Sequence, residues 1–105
     1  MYAALSVRKL KPGSFDDWRQ AWEPDEWPDT VAKAYILRNL ANPDEVVAFG
    51  LADASLDALT ALRNDPDWSE SERRRHERMA PHVESESASG FYEVVEVLHP
   101  TAAAR

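Results

Sequence analysis

His76 is the side chain of this sequence best suited to chemistry, because an imidazole titrates near neutrality. Helical spacing places it on the same side of a predicted helix as Trp68, where it would serve as a base, a hydrogen-bond donor or a ligand. The competing interpretation is an ion pair with Glu72, one helical turn earlier. His82 and His99 share no helical face with His76, so the three histidines predict no metal site.

Three strand residues are further candidates for binding. Arg38 lies on the same side of its predicted strand as Ile36, which indicates either recognition of an anionic group or a position at the rim of a dimer. Tyr35 and Tyr92 each place a hydroxyl on a strand surface, where tyrosines either bond across subunits or contact a substrate. The sequence contains no nucleophile elbow, P-loop or dinucleotide fingerprint, so acyl, phosphoryl and hydride transfer have no support.

The composition predicts one small protein domain. The chain has 105 residues, a net charge of -7 and no cysteine, which excludes a disulfide scaffold and a thiolate site. Its basic cluster, Arg73 to Arg75 with Arg78, lies among Glu70, Glu72 and Glu77, which largely cancel its charge and argue against nucleic acid as a partner. We find neither a secretory signal pattern nor an apolar run of membrane-spanning length, so we expect a cytoplasmic protein without a membrane partner.

Hydrophobic periodicity predicts the elements that hold these side chains. The clearest is a hairpin over residues 31–53, whose turn is formed by Asn42, Pro43 and Asp44. The remaining predictions are a strand over 2–10, a helix over 14–23, a loop over 23–30, a short helix capped by Asp53 or Ser55, a helix from Pro66 to Met79, a polar connector over 84–90 and a strand over 91–98.

The sequence also predicts where the helices begin and which of their sides are buried. Ser14 and Asp17 have the spacing of a capping box, and Asp65 is expected to cap the helix that opens with Pro66. Two helices carry predicted buried stripes, formed by Phe15, Trp18 and Trp22 in the first and by Leu56, Leu59 and Leu62 in the second. Trp27, in the acidic loop, is expected either to cap the core or to line the rim of a pocket.

The order of elements predicts an α+β fold, a ferredoxin-like βαββαβ sandwich with an antiparallel four-stranded sheet. Residues 1–98 would form the single domain and residues 99–105 a flexible tail. One helical layer covers one sheet face only, so we expect a second copy of the chain on the other face. Hydrogen bonds exchanged between edge strands of the two copies would complete a dimeric α/β barrel. We expect the face away from the helices to be lined by small residues: Ala4, Ser6, Ala32, Ala34, Ala48 and Gly50.

Five segments together resemble the dimeric α/β-barrel superfamily that includes the antibiotic biosynthesis monooxygenases. They are the KPG turn at 11–13, the aromatic first helix, AFGLAD at 48–53, NDPDW at 64–68 and YEVVEVL at 92–98. The resemblance implies a homodimer with a pocket between sheet and helices in each subunit. It also implies a cofactor-free oxygenase that acts on, or binds, a small aromatic or polyketide-type molecule.

On this interpretation His76 is the catalytic base, and the substrate-binding residues are Trp68, Tyr35, Arg38 and Tyr92. A non-catalytic homodimer that binds a small molecule is the alternative. Haem binding is a third possibility, since the haem-degrading members of the superfamily use a tryptophan and an axial histidine, which Trp68 and His76 would supply. Those members also use an asparagine in the first strand, where this chain has Ser6.

Overall fold

The computed structural model describes residues 1–101 and confirms the α+β ferredoxin-like order. Its elements are β1 (Tyr2–Leu10), α1 (Phe15–Trp22), β2 (Val31–Arg38), β3 (Glu45–Ala52), α2 (Leu56–Arg63), α3 (Pro66–Met79), a short 3-10 helix (Ala80–His82) and β4 (Val83–Glu93). In the predicted tail, residues 99–101 have neither helix nor strand, and residues 102–105 lie outside the described residues. None of the helices within residues 1–101 has the length and apolarity to cross a membrane.

The four strands form one antiparallel sheet in the order β2-β3-β1-β4. The first and third strands are therefore central, as the sequence predicts. The register of the central pair places Ser6 opposite Ala48 and Val7 opposite Val47. Because successive side chains point to opposite faces, this register decides which residues face the helices and which face away.

The last strand begins earlier than predicted. It starts at Val83 rather than Phe91, and it ends at Glu93. The polar run over 84–90, predicted as a connector, pairs with β1 along most of its length. Turn-type residues are tolerated there because β4 is an edge strand, where water reaches the side chains while the backbone supplies the ladder hydrogen bonds. The apolar residues Val95 and Leu98 lie beyond the strand and are exposed.

Helix α1 buries its aromatic side against the sheet, as predicted. Trp18 and Trp22 are buried in the larger core with Leu10, Val46 and Met79. The predicted capping box is wrong, because the side chain of Ser14 makes no cap hydrogen bond. With φ -95° and ψ 6°, Ser14 lacks the extended backbone that directs an N-cap oxygen towards the first turn.

The two later helices start as predicted, but one buried stripe does not form completely. Ser55 accepts a hydrogen bond from the Ala58 amide at 3.1 Å, and Asp65 accepts one from the Asp67 amide at 2.9 Å. Leu59 is buried, whereas Leu56 is 58% exposed. Three residues advance a helix by about 300°, so Leu56 is turned about 60° away from the side that Leu59 presents to the sheet.

Candidate functional site

A cavity of about 310 Å³ lies between the sheet and the helices. Its walls are largely aromatic and come from β1, β4, α1, α3 and the loop between α1 and β2: Tyr2, Trp22, Trp27, Trp68 and Phe91. Its polar lining is concentrated on β1 and α3: Ser6, Arg8, Glu72, Arg75 and His76. The volume is at the lower end of the range of about 300–1,000 Å³ that ligand pockets occupy.

The floor of this cavity consists of small residues of the sheet. Ala4, Ser6, Ala48 and Gly50 line it, so the prediction that they lie on the face away from the helices is wrong. The alternation of the strand residues is as predicted, but alternation does not say which of the two faces meets the helices, and the prediction chose the wrong one. Two further residues of that prediction line a separate shallow depression next to Trp27, namely Ala32 and Ala34.

The aromatic walls contact one another around the cavity. The Phe91 ring lies 6.1 Å from the Tyr2 ring, edge to face, and 6.3 Å from the Trp68 ring, measured between centroids. Trp27 packs edge to face against Trp22 at 5.7 Å, measured between ring centroids, and it also lines the cavity. Of its two predicted roles, it therefore lines the rim of a pocket and at the same time contacts the core. Such walls favour a planar, apolar ligand, since aromatic pairs are stabilised beyond the area they bury.

Arg8 is the charged group on the β1 side of the cavity. It is 4% exposed. Its Nε donates to Oε2 of Glu86 at 2.9 Å, and its Nη1 donates to Oγ of Ser6 at 2.6 Å. Burial and, to a smaller extent, the positive charge of Arg75 lower the pKa of Arg8, although the neighbouring carboxylates of Glu86 and Glu72 oppose that effect. A charged donor is therefore held in place at a largely apolar surface.

Glu72, Arg75 and His76 form the polar group on the α3 side. Nη2 of Arg75 donates to Oε2 of Glu72 at 2.7 Å, while its Nη1 donates to the carbonyl of Trp22 at 2.8 Å. Nε2 of His76 lies 3.6 Å from the same Glu72 oxygen, so the contact proposed in the competing interpretation of His76 exists. Burial by itself raises the pKa of Glu72, but His76 and Arg75 more than offset it and lower that pKa to about 2.

The structure brings together two of the five predicted site residues, Trp68 and His76, which both line the cavity. The other three do not line it. The Arg38 guanidinium lies 3.7 Å from the centroid of the Phe15 ring, Tyr35 stacks on Phe49 at 5.1 Å, and Tyr92 is exposed. Their part in substrate binding stays a prediction that no contact in this cavity supports.

Sequence reasoning missed Arg8 as a site residue. The signal was present in β1, where Arg8 falls on the same side as Ser6 and Tyr2 by simple alternation. Alternation does not say which of the two sides faces the helices, but a charged residue on a covered side is rarely found without a partner or a function. Arg38, the predicted binding residue, lies instead on the edge strand β2, where its guanidinium packs over the Phe15 ring.

The surroundings of His76 and Ser6 do not support the haem hypothesis. Nε2 of His76 faces the carboxylate of Glu72 at 3.6 Å, so that nitrogen is not directed into open space. Ser6, in the place of the asparagine, accepts a hydrogen bond from Arg8. The residues present therefore do not fit haem. No cluster of three or more metal-binding side chains is found within residues 1–101.

The fold has clear counterparts among solved structures. A candidate antibiotic biosynthesis monooxygenase from Chloroflexus aurantiacus J-10-fl has a TM-score of 0.65 and 13% identity, covering 93% of this chain and 96% of its own. One from Deinococcus radiodurans also has a TM-score of 0.65 and 13% identity, covering 97% and 100%. An uncharacterised NIPSNAP domain protein from Burkholderia xenovorans has a TM-score of 0.50 and 17% identity, covering 97% and 96%.

Sequence comparison adds no family assignment. No protein-family model matches the chain, and no curated protein matches it. At such low identities, structural likeness establishes the fold and leaves the reaction to the residues of the site. The chain therefore has the fold of antibiotic biosynthesis monooxygenase domains, with an aromatic cavity that contains histidine, arginine and glutamate.

Proposed function

We propose that this chain binds a small aromatic molecule in the cavity and acts on it as a cofactor-independent monooxygenase. The observation that carries the proposal is the convergence of Arg8, Glu72 and His76 on one aromatic-walled cavity. An apolar pocket on which a few polar and charged groups converge has the usual character of a ligand-binding or active site.

His76 is the proposed base, and Glu72 is the group that supports it. The low pKa of Glu72, about 2, keeps its carboxylate ionised at neutral pH. When His76 accepts a proton from the substrate, the carboxylate 3.6 Å from Nε2 stabilises the positive charge that forms. Trp68 and Phe91 would hold the substrate ring against this pair.

The proposed reaction uses the reactivity of the substrate itself. His76 removes a proton from an activated CH₂ group, as in an anthrone, and the resulting carbanion forms a C–O bond with dioxygen. Protonation of the peroxide and loss of water then leave a carbonyl. One CH₂ group and one O₂ thereby give one C=O group and one water, with dioxygen as the oxidant.

The test is turnover of anthrone, followed by oxygen uptake and anthraquinone formation above the uncatalysed rate. His76→Ala is expected to lower kcat by about 10²–10⁴-fold, the usual contribution of a general base. His82→Ala is the matched control and is expected to leave the rate unchanged, because His82 does not line the cavity. An unchanged rate in His76→Ala would remove His76 from the mechanism.

One observation favours the alternative, a non-catalytic protein that binds a small molecule. The side chain of His76 is 53% exposed, so water reaches the proposed base, whereas closed sites exclude it. Under this alternative, aromatic probes quench tryptophan fluorescence and Trp68→Ala weakens their binding, but anthrone is not oxidised faster than in buffer.

We also propose a homodimer formed through the sheet face opposite the cavity. Tyr35, Leu37 and Tyr92 on or beside that face are exposed, and Phe49 stacks under Tyr35. Large apolar groups on one continuous face support a self-complementary, two-fold interface. Sedimentation as a monomer at micromolar concentration would refute this assembly.

A further inference from the structure

Arg8 occupies an unusual position for a strand residue. It lies on the helix-facing side of β1, shares that side with Ala4 and Ser6, and lines the cavity. Taking a guanidinium out of water is unfavourable unless ion pairs and hydrogen bonds compensate it. The hydrogen bonds and ion pairs of Arg8 therefore show how far the protein replaces the water that its guanidinium has lost.

The hydrogen bonds of Arg8 do not use its full donor capacity. A guanidinium has five N–H donors. One of them binds Glu86 and another binds Ser6, which leaves three donors without a partner among residues 1–101. Since the group lines the cavity, these donors are available to a ligand there.

The surrounding acidic groups also leave the positive charge incompletely balanced. The side chain of Glu86 is 37% exposed, so water screens its attraction to Arg8. Glu72 is bound by Arg75 at 2.7 Å and lies beside His76. Burial and the nearby positive charge of Arg75 together lower the pKa of Arg8 despite both carboxylates, so the two carboxylates do not fully balance the positive charge at this side of the cavity. Glu26, which also lines the cavity, is on the exposed loop between α1 and β2.

We infer that Arg8 makes the cavity selective for aromatic molecules that carry an ionised acidic oxygen, above all a carboxylate, over neutral molecules of the same shape. The inference rests on the proposed function, because it names the substrate class of the same cavity. A guanidinium matches a carboxylate through two parallel N–H···O bonds. The ring of such a ligand would lie against Trp68 and Phe91 while its carboxylate binds Arg8.

A simpler explanation of Arg8 is a structural ion pair. Arg8 and Glu86 are opposite each other in the pairing of β1 with β4, and cross-strand pairs of opposite charge stabilise sheets. If that were the whole role of Arg8, charged and neutral ligands would bind the cavity equally well.

The experiment compares two probes of the same shape, naphthalene-2-carboxylate and naphthalene-2-carboxamide, by calorimetric titration at neutral pH. We expect the wild-type protein to bind the carboxylate about 10- to 100-fold more tightly, the range that charge-assisted hydrogen bonds give. Arg8→Gln is expected to abolish that preference and to leave carboxamide affinity within about twofold. Arg38→Gln is the control, because its guanidinium lies over Phe15 rather than in the cavity, and it should retain the full preference.

Glu86→Gln tests the same inference without removing the buried arginine, should Arg8→Gln fail to fold. Removing the competing carboxylate is expected to tighten naphthalene-2-carboxylate binding severalfold and to leave the carboxamide unaffected. Equal affinity for both probes in the wild type, or a preference that survives Arg8→Gln, would overturn the inference while the aromatic cavity stands. If neither probe binds, the inference fails, whereas the proposed function is decided separately by the turnover of anthrone.

Discussion

In the middle of the two central strands, the two faces of the sheet differ in side-chain size, although the residues that form them alternate along the same strands. On the helix-facing side, Ser6 is opposite Ala48, and Ala4 is opposite Gly50. On the other side, Val7 is opposite Val47. Small residues thus face one another across the cavity floor, and branched residues face one another on the open side. The cavity volume is therefore a property of strand register, since a shift of one residue would exchange the two faces.

The largest expected effect comes from the buried side of this comparison. Trp18→Ala removes an indole that is fully buried between α1 and the sheet. We expect the free energy of unfolding to fall by about 3–5 kcal/mol, the usual cost of a large aromatic truncation in a core. Urea denaturation followed by circular dichroism measures it. Trp27→Ala, in the exposed loop, is the control and should cost less than about 1 kcal/mol; equal losses would contradict the assignment of the core to α1.

The open side is tested by placing a charge on it. Leu37→Asp puts a carboxylate on a residue that is 48% exposed in the single chain and that would be buried in the proposed dimer. We expect the dimer to weaken by at least about 2 kcal/mol, because a charge must then lose its water without a partner. Sedimentation velocity over a concentration series gives the dissociation constant.

Leu40→Asp is the matched control for that change. Leu40 is fully exposed in the loop between β2 and β3, outside the sheet face. It should leave the dissociation constant unchanged. Identical dissociation constants for wild type and Leu37→Asp would show that the open face is not the interface.

The polar side of the cavity is tested through pH. The pKa of Glu72 in the folded chain, about 2, is below its ordinary value of 4.5, so the folded state binds its proton less readily than the unfolded state does. The resulting stabilisation is complete above about pH 4.5 and disappears as the pH falls towards 2. Glu72→Gln should therefore lower the free energy of unfolding by about 2 kcal/mol at neutral pH. This value is smaller than the full pKa difference would give, because water partly screens the side chain. The difference from wild type should vanish near pH 2.

Urea denaturation at several pH values measures this difference. Glu77→Gln is the control, because Glu77 pairs with Arg73 on the exposed side of α3 and such pairs contribute at most about 1 kcal/mol. A loss for Glu72→Gln that does not change between pH 7 and pH 2 would show that its carboxylate is not the source of the stabilisation.

The smallest expected effect concerns the cavity floor. Ala4→Phe would fill the volume beneath the aromatic walls, and we expect it to weaken binding of naphthalene-2-carboxylate about tenfold or more while changing stability little. Lys9→Phe adds the same ring to the opposite face of β1 and should leave binding intact. Calorimetric titration measures the affinity of both variants for naphthalene-2-carboxylate. Undiminished binding by Ala4→Phe would mean that the ligand lies elsewhere.

How far the sequence predicts this structure depends on how local each signal is. The aromatic side of α1 and the cap at Asp65 were predictable, because their determinants are a few residues apart. For α2 the sequence left Asp53 and Ser55 as alternative caps, and Ser55 is the one that forms. The start of β4 was not. Its serines and glutamates favour a loop by propensity, and only pairing with β1 makes them a strand.

The residues of the candidate site also divide into those fixed by local sequence signals and those fixed by tertiary contacts. Trp68 and His76 were predictable as neighbours, since two helical turns place them on one side of α3. Arg8 and the small residues of the floor depend on which sheet face meets the helices, and alternation alone gives two equivalent answers.

The sequence by itself determined the order of elements, the central position of β1 and β3, and the helix side that carries His76, because these follow from local periodicity and from the rules of strand connection. Only the tertiary structure decided that Arg8, rather than Arg38, joins Glu72 and His76 at the cavity. That choice depends on strand register and helix packing, which are set by contacts between residues distant in the chain, such as Arg8 with Glu86 and Arg75 with Trp22.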